Sequence, residues 1–411
     1  MSQVLSETAV SPLSTPAARS ERLASVDIVR GMVMVFMAID HTRDFFMNMP
    51  FEPENIAHTW PGLFFTRWIT HFCAPMFFFL AGTGAFLYRD RKGSVGKVSR
   101  FLWTRGLWLI VLEWTIIEFA WTFVPWQFGG VIWSLGCSMV ILAALVWLPE
   151  WAIATFGILM IVIHDLFDSI KPAYFGSHGW IWTLLHRRGM IPQFHFFVLF
   201  PLIPWVGVMA AGYAFGRLLL RDPERRQRAV LAIGSALTLA FVVLRGLNAY
   251  GNPPAGVAAS SPGAWHALPS FAMTLVYFLD VEKYPPSLQF LLMTIGPSLI
   301  LLAFLDRFAT NEAWKKLARP LLIFGRVPLF FYILHLYVIH LLAIAAAYLT
   351  HQPVAWLWHG SFWMNQIPEG YGHGLGFMYL MWLLAVVLLY VPCMWFYRLK
   401  MRRKDWWLSY L

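Results

Sequence analysis

The chain has 411 residues, 59% of them hydrophobic and only 13% charged, and a mean hydropathy of +0.60, whereas water-soluble domains carry about 25% charged residues. These figures exclude a soluble globular domain, a disordered chain and a disulfide scaffold, and they describe a protein whose solvent is largely lipid. The net charge of +10 does not imply a nucleic-acid partner, because the basic residues fall in short clusters between apolar runs, the pattern of a chain that crosses a membrane many times.

Residues 1–21 are rich in Ser, Thr, Ala and Pro without an apolar core, so they read as a short cytoplasmic tail and not as a signal peptide. Ten segments are long and apolar enough to span a bilayer: near 24–47, 66–88, 101–119, 131–149, 151–169, 198–220, 229–247, 286–305, 320–349 and 374–397. The fourth and fifth are separated only by Pro149 and Glu150, as in a tight helical hairpin. With the N-terminus inside, the inner segments hold twenty Lys and Arg against four outside (Lys171, Arg187, Arg188 and Lys283). That asymmetry predicts an all-α, multi-pass bundle of about ten transmembrane helices with both termini cytoplasmic. The domain would run over 22–399, followed by a basic tail at 400–411.

The first span carries the densest chemistry. If it is helical, Asp27, Arg30, Met34, Met37, His41 and Asp44 fall on one stripe at steps of three and four. Arg30 and His41 are eleven residues apart, nearly the same face and roughly 16 Å along the axis. The expectation is a wet passage with a cation at its inner mouth and a titratable base toward the outer leaflet. Asp44 is placed to orient His41, and Asp40 points aside toward Arg43 or another helix. The alternative for His41 is an interfacial, hydrogen-bonded histidine.

Further along, Arg67 and His71 share a face of the second span and can complete a polar pocket with His41 and Asp44. Glu113 and Glu118 are five apart and do not share an α-helical face, and one of them is expected to form a structural pair with Arg105 or Arg67. The outer loops 170–197 and 248–285 carry Gly, Pro and aromatics, and Trp180, Trp182, Phe194, Phe196 and Phe197 in the first suggest segments lying on or re-entering the membrane surface. Pro328 is expected to break the ninth span just after Arg326. Intramembrane arginines such as Arg30, Arg67 and Arg326 are costly unless paired or wetted, and mark functional candidates. Arg217 and Arg245 lie where their side chains can snorkel. Cys73, Cys137 and Cys393 read as small buried hydrophobes. No HExxH, CxxC or carboxylate cluster appears, so no metal is expected.

Several stretches resemble one family. The Arg30-to-His41 spacing within residues 22–46 is similar to the first helix of membrane acyltransferases. Thr66-Arg67-Trp68-Ile69-Thr70-His71-Phe72-Cys73-Ala74-Pro75, Phe77-Phe78-Phe79-Leu80-Ala81-Gly82, Lys283-Tyr284-Pro285-Pro286-Ser287-Leu288 and Phe324-Gly325-Arg326-Val327-Pro328-Leu329-Phe330-Phe331-Tyr332 add to it. Together they resemble bacterial relatives of the heparan-α-glucosaminide N-acetyltransferase catalytic domain, over about 22–345. The resemblance implies a helical enzyme of a bacterial inner membrane. Such an enzyme moves an acetyl or other short acyl group from cytosolic acyl-coenzyme A to an extracytoplasmic acceptor such as a sugar or glycan.

It also implies two candidate histidines. His58-Thr59-Trp60-Pro61-Gly62 is similar to the stretch that holds the sugar N-acetyltransferase's catalytic histidine, and His41 is the favoured position in the broader families. His41 is taken first and His58 second, while His71 stands where the family has an aspartate. Acyl transfer from a thioester needs a base or nucleophile, which histidine supplies near neutral pH. Coenzyme A phosphates suit arginine, and Arg30, Arg67 and Arg326 are the candidates. The expected partners are the lipid bilayer, acyl-coenzyme A and the extracytoplasmic acceptor, and not nucleic acid. The rival class is a transporter or flippase without covalent chemistry, because intramembrane charges and a broken helix serve translocation as well.

Overall fold

In the computed structural model, residues 16–124, 127–257, 261–308, 311–359, 367–403 and 405–411 are described; of the tail expected over 1–21, residues 1–15 lie outside them. Every predicted span is helical. The helices are α1 (Pro16–Phe46), α2 (Pro61–Lys92), α3 (Val95–Leu112, continuing through 113–122), α4 (Val131–Leu145), α5 (Glu150–Ile163), α6 (Leu202–Phe215), α7 (Pro223–Gly246), α8 (Leu288–Arg307), α9 (Arg319–Arg326), α10 (Pro328–Leu349) and α11 (Leu375–Arg402).

Among the described residues seven helices are both long and apolar enough to cross a membrane. They are α2, α5 and α6 with their short extensions, α7, α8, α10 and α11. α4 is apolar but only 15 residues long, while α1 and α3 are long and carry charges in mid-helix. The chain is an all-helical, multi-pass membrane protein.

α1 runs through the centre, packed by α2, α8, α9, α10 and α11. Its tightest partner is α9. A Cβ on Gly31 would stand 1.9 Å from the Leu321 carbonyl oxygen, and one on Gly325 would stand 1.8 Å from that of Asp27. The two backbones therefore touch, which only glycine allows and which is the usual basis of close helix association in lipid. The ninth predicted span is two helices, because Val327 leaves helical geometry (φ −127°, ψ 48°) and Pro328 starts α10. The expected hairpin of α4 and α5 does not close; both pack on α6, and α4 also packs on α3.

Strands β1 (Phe128–Gly129), β2 (Gly189–Ile191) and β3 (Phe196–Val198) form a small sheet in the order β1-β3-β2, parallel for the first pair and antiparallel for the second. Arg245 does not snorkel. It is 1% exposed and donates to the carbonyls of Gly263, Tyr277, Phe278 and Asp280, fastening the 263–280 segment to α7. Arg217 does reach the surface, where it pairs with Glu150.

Candidate active site

The last turns of α1 put Asp40, His41, Arg43 and Asp44 at the edge of a cavity of about 970 Å³. Its mouth is formed by the loop after α1, where Asn48, Pro50 and Glu52 are exposed, and by Arg188, Met190, Lys283 and Tyr284 from the outer loops. Its walls come from α2 (Arg67, Thr70, Cys73), the distal part of α3, and the sheet (Phe128, Met190, Phe197).

His41 faces this space from α1 and is held from behind. Its Nδ1 lies 2.6 Å from His335 Nε2, and His335 Nδ1 lies 3.1 Å from the Phe331 carbonyl oxygen. A carbonyl only accepts, so a neutral His335 donates from Nδ1 and offers its lone pair at Nε2. His41 then donates from Nδ1, which leaves a lone pair on its Nε2. Trp121 packs edge-on at 4.8 Å and fixes the ring plane. The chain of contacts thus presents one free imidazole nitrogen at a cavity wall, the arrangement of a base or nucleophile.

Asp44 does not orient His41. Arg43 holds it at 2.6 Å, and the orienting partner comes from another helix. Asp40 takes both of its expected roles: it pairs with Arg43 at 2.5 Å and with Arg67 of α2. Arg67 also binds Glu54 in the loop before α2, at 2.7 Å, and His71 approaches the same Glu54 oxygen at 3.2 Å. Burial pushes the Glu54 carboxyl up, but the Arg67 guanidinium and the His71 hydrogen bond outweigh it and hold that carboxyl well below its usual range. His71 is therefore buried behind the wall as a support. His58 is exposed and does not line the cavity; it packs at 5.4 Å on Phe51, which does.

Glu113 and Glu118 overturn their expectation. Residues Glu113–Ile117 form a π turn in which the Glu118 N–H bonds to the Glu113 carbonyl, and such i-to-i+5 closure stacks residues five apart. Both carboxylates line the cavity, and neither meets Arg105 or Arg67. Both Glu118 oxygens and one of Glu113 have no hydrogen-bond partner. Gly130 makes room, since a Cβ there would stand 2.0 Å from Glu113 Oε1.

The other end of the stripe is built differently. Arg30 pairs with Asp27 at 3.0 Å and donates to the Gly325 carbonyl, and Arg326 reaches the same Asp27 at 3.2 Å and the Tyr397 hydroxyl at 2.8 Å. Arg105 and Lys400 add positive charge close to Arg30. This basic cluster is not on the cavity wall. On α1 the cavity reaches inward to Met37, and the next stripe residue, Met34, is 2% exposed. The single wet passage expected from Arg30 to His41 is thus two sites separated by packed methionine.

Sequence reasoning passed over His335, Lys283 and Tyr284 as members of this site. A histidine nine residues past a Pro-broken Arg326, and the Lys-Tyr-Pro-Pro run, were the available signals.

Residues 22–250, more than half of the chain, match the heparan-alpha-glucosaminide N-acetyltransferase catalytic family. The chain belongs to that family. None of the curated proteins matches it. Membership makes this a membrane protein of an acetyltransferase family, and the matched segment contains α1, α2 and α3, which supply His41, Arg67 and the two glutamates.

Proposed function

We propose that the protein transfers an acyl group from an acyl-coenzyme A, bound by its phosphates at the Arg30 end, to a hydroxyl or amine that enters the outer cavity. The observation that carries this reading is the free His41 Nε2 at the cavity wall, fixed through His335 to the Phe331 carbonyl. His41 takes the proton from the acceptor as its oxygen or nitrogen attacks the thioester carbonyl. The carbon–sulfur bond breaks, and the departing thiolate takes the proton back from His41. Glu113 and Glu118 offer unpartnered oxygens to the hydroxyls or ammonium of the acceptor, which suits a sugar or glycan.

Arg30 and Arg326, with Arg105 and Lys400 nearby, suit the phosphates of the donor. Met34 and Met37 stand between the two ends, and methionines repack readily around a thin arm such as pantetheine. In this reading the protein sits in a bacterial inner membrane with the Arg30 end in the cytoplasm. The test is detergent-purified protein with radiolabelled acetyl-coenzyme A and a panel of amino and neutral sugars, following thiol release and labelled product. Acceptor-dependent release that disappears in His41→Ala supports the proposal. Solute movement across vesicles without thioester cleavage, unchanged in His41→Ala, would replace it with the transporter reading.

A further inference from the structure

Away from this cavity, at the outer end of α5, the helix gives way to a tight turn, His164–Phe167, followed by Asp168. The short helix Gly179–Leu185 ends at His186 beside it. His164 Nδ1 lies 3.4 Å from His186 Nε2, and His186 Nε2 lies 3.8 Å from Asp168 Oδ1. One ligand atom from each of the three falls within 4.8 Å of the other two. Asp165 Oδ1 stands 3.5 Å from His164 Nδ1. The four side chains are at most 6% exposed.

Tetrahedral ligands about 2.0–2.1 Å from a zinc-sized ion stand about 3.3 Å from one another, and the His164–His186 and His186–Asp168 distances of 3.4 Å and 3.8 Å are near that spacing. Asp165 Oδ1, which faces His164 Nδ1, is buried without a hydrogen bond, and so are the atoms of the other three side chains that do not converge: His164 Nε2, Asp168 Oδ2 and His186 Nδ1. Arg187 donates to the backbone carbonyl of Asp168.

We propose that His164, Asp168 and His186 bind one divalent transition cation of the zinc class, with Asp165 beside them. Two imidazoles select against magnesium and calcium. Three protein ligands leave one position of a tetrahedral ion for water or the neighbouring Asp165. The ion takes the place of the proton that His186 Nε2 shares with the His164 carbonyl at 3.0 Å, so binding releases protons.

Its consequence is local. The other Asp165 oxygen accepts the Leu288 N–H at the start of α8, and His186 leads into Arg188 and Met190 at the cavity mouth. The ion therefore ties the end of α5 to the rim. The expectation of no metal failed to see this cluster because its two histidines are 22 residues apart and meet only in the fold.

The test uses full-length, tag-free protein in detergent, stripped with chelator and titrated with cobalt(II), alongside elemental analysis after zinc loading. One equivalent of cobalt with the visible absorption of tetrahedral coordination is expected, with a rise in the thermal midpoint on zinc loading. His186→Ala and Asp168→Asn should each lower affinity at least tenfold. Absence of stoichiometric binding by the wild type overturns the site, as does wild-type affinity in His186→Ala, which would assign the metal to surface histidines. If a variant fails to fold, the wild-type titration and its spectrum decide alone.

Discussion

The two ends of α1 carry the same kind of sequence and have opposite surroundings. At the outer end Asp40, His41, Arg43 and Asp44 meet a cavity whose other walls come from loops, strands and a π turn. At the inner end Asp27 and Arg30 meet α9 backbone to backbone, and Arg30 and Arg326 share the single carboxylate of Asp27 in a net-basic cluster. Glycines at 31 and 325 close one end; the bulk and irregularity of loops keep the other open. Charge on a helix face marks a place that needs partners or water. Which of the two it receives depends on what the facing segment can bring.

The sharpest way to break this contrast is His41→Ala, for which a fall in the turnover number on the order of 10³-fold is expected, with the KM for acyl-coenzyme A nearly unchanged. A large KM change with turnover retained would place His41 in binding and not at the reacting atoms. His335→Ala comes next, with a loss of roughly 10²-fold. Because His335 acts through His41, its loss should also move the pH profile of turnover, and His335→Gln, which keeps an acceptor for His41 Nδ1, should recover part of the rate. A merely structural His335 would lower the amount of folded protein without moving that profile.

Arg30→Ala and Arg326→Ala probe the inner end. Each should raise the KM for acyl-coenzyme A about ten- to a hundredfold, the worth of one or two charged hydrogen bonds, while turnover at saturation holds. Equal effects on turnover and KM would join the two sites into one. The smallest effect belongs to His58→Ala, expected within about twofold of wild type because an exposed ring outside the cavity contacts no reacting group. A loss there as deep as that of His41→Ala would move the chemistry to the loop before α2.

Much of this was legible before folding. Apolar run length gave the helices, the Arg326-Val327-Pro328 run marked the break between α9 and α10, and the three-and-four spacing set His41, Asp44 and Met37 on one face. Glu113 and Glu118 were misread because a π turn changes the period of the helix over five residues, which no α-helical wheel anticipates. The orienting partner of His41 was misassigned to Asp44 because spacing ranks neighbours on the same helix, while Arg43 competes for Asp44 and His335 arrives from α10.

The sequence by itself determined that this chain lives in a bilayer, where its helices run, and which faces carry charge, since those follow from local hydropathy and helical period. Only the tertiary structure decided which charges face a cavity, which nitrogen of His41 is free, and that His164 and His186 meet. Those depend on distances between segments far apart in the chain, fixed by where backbones can touch and where they cannot.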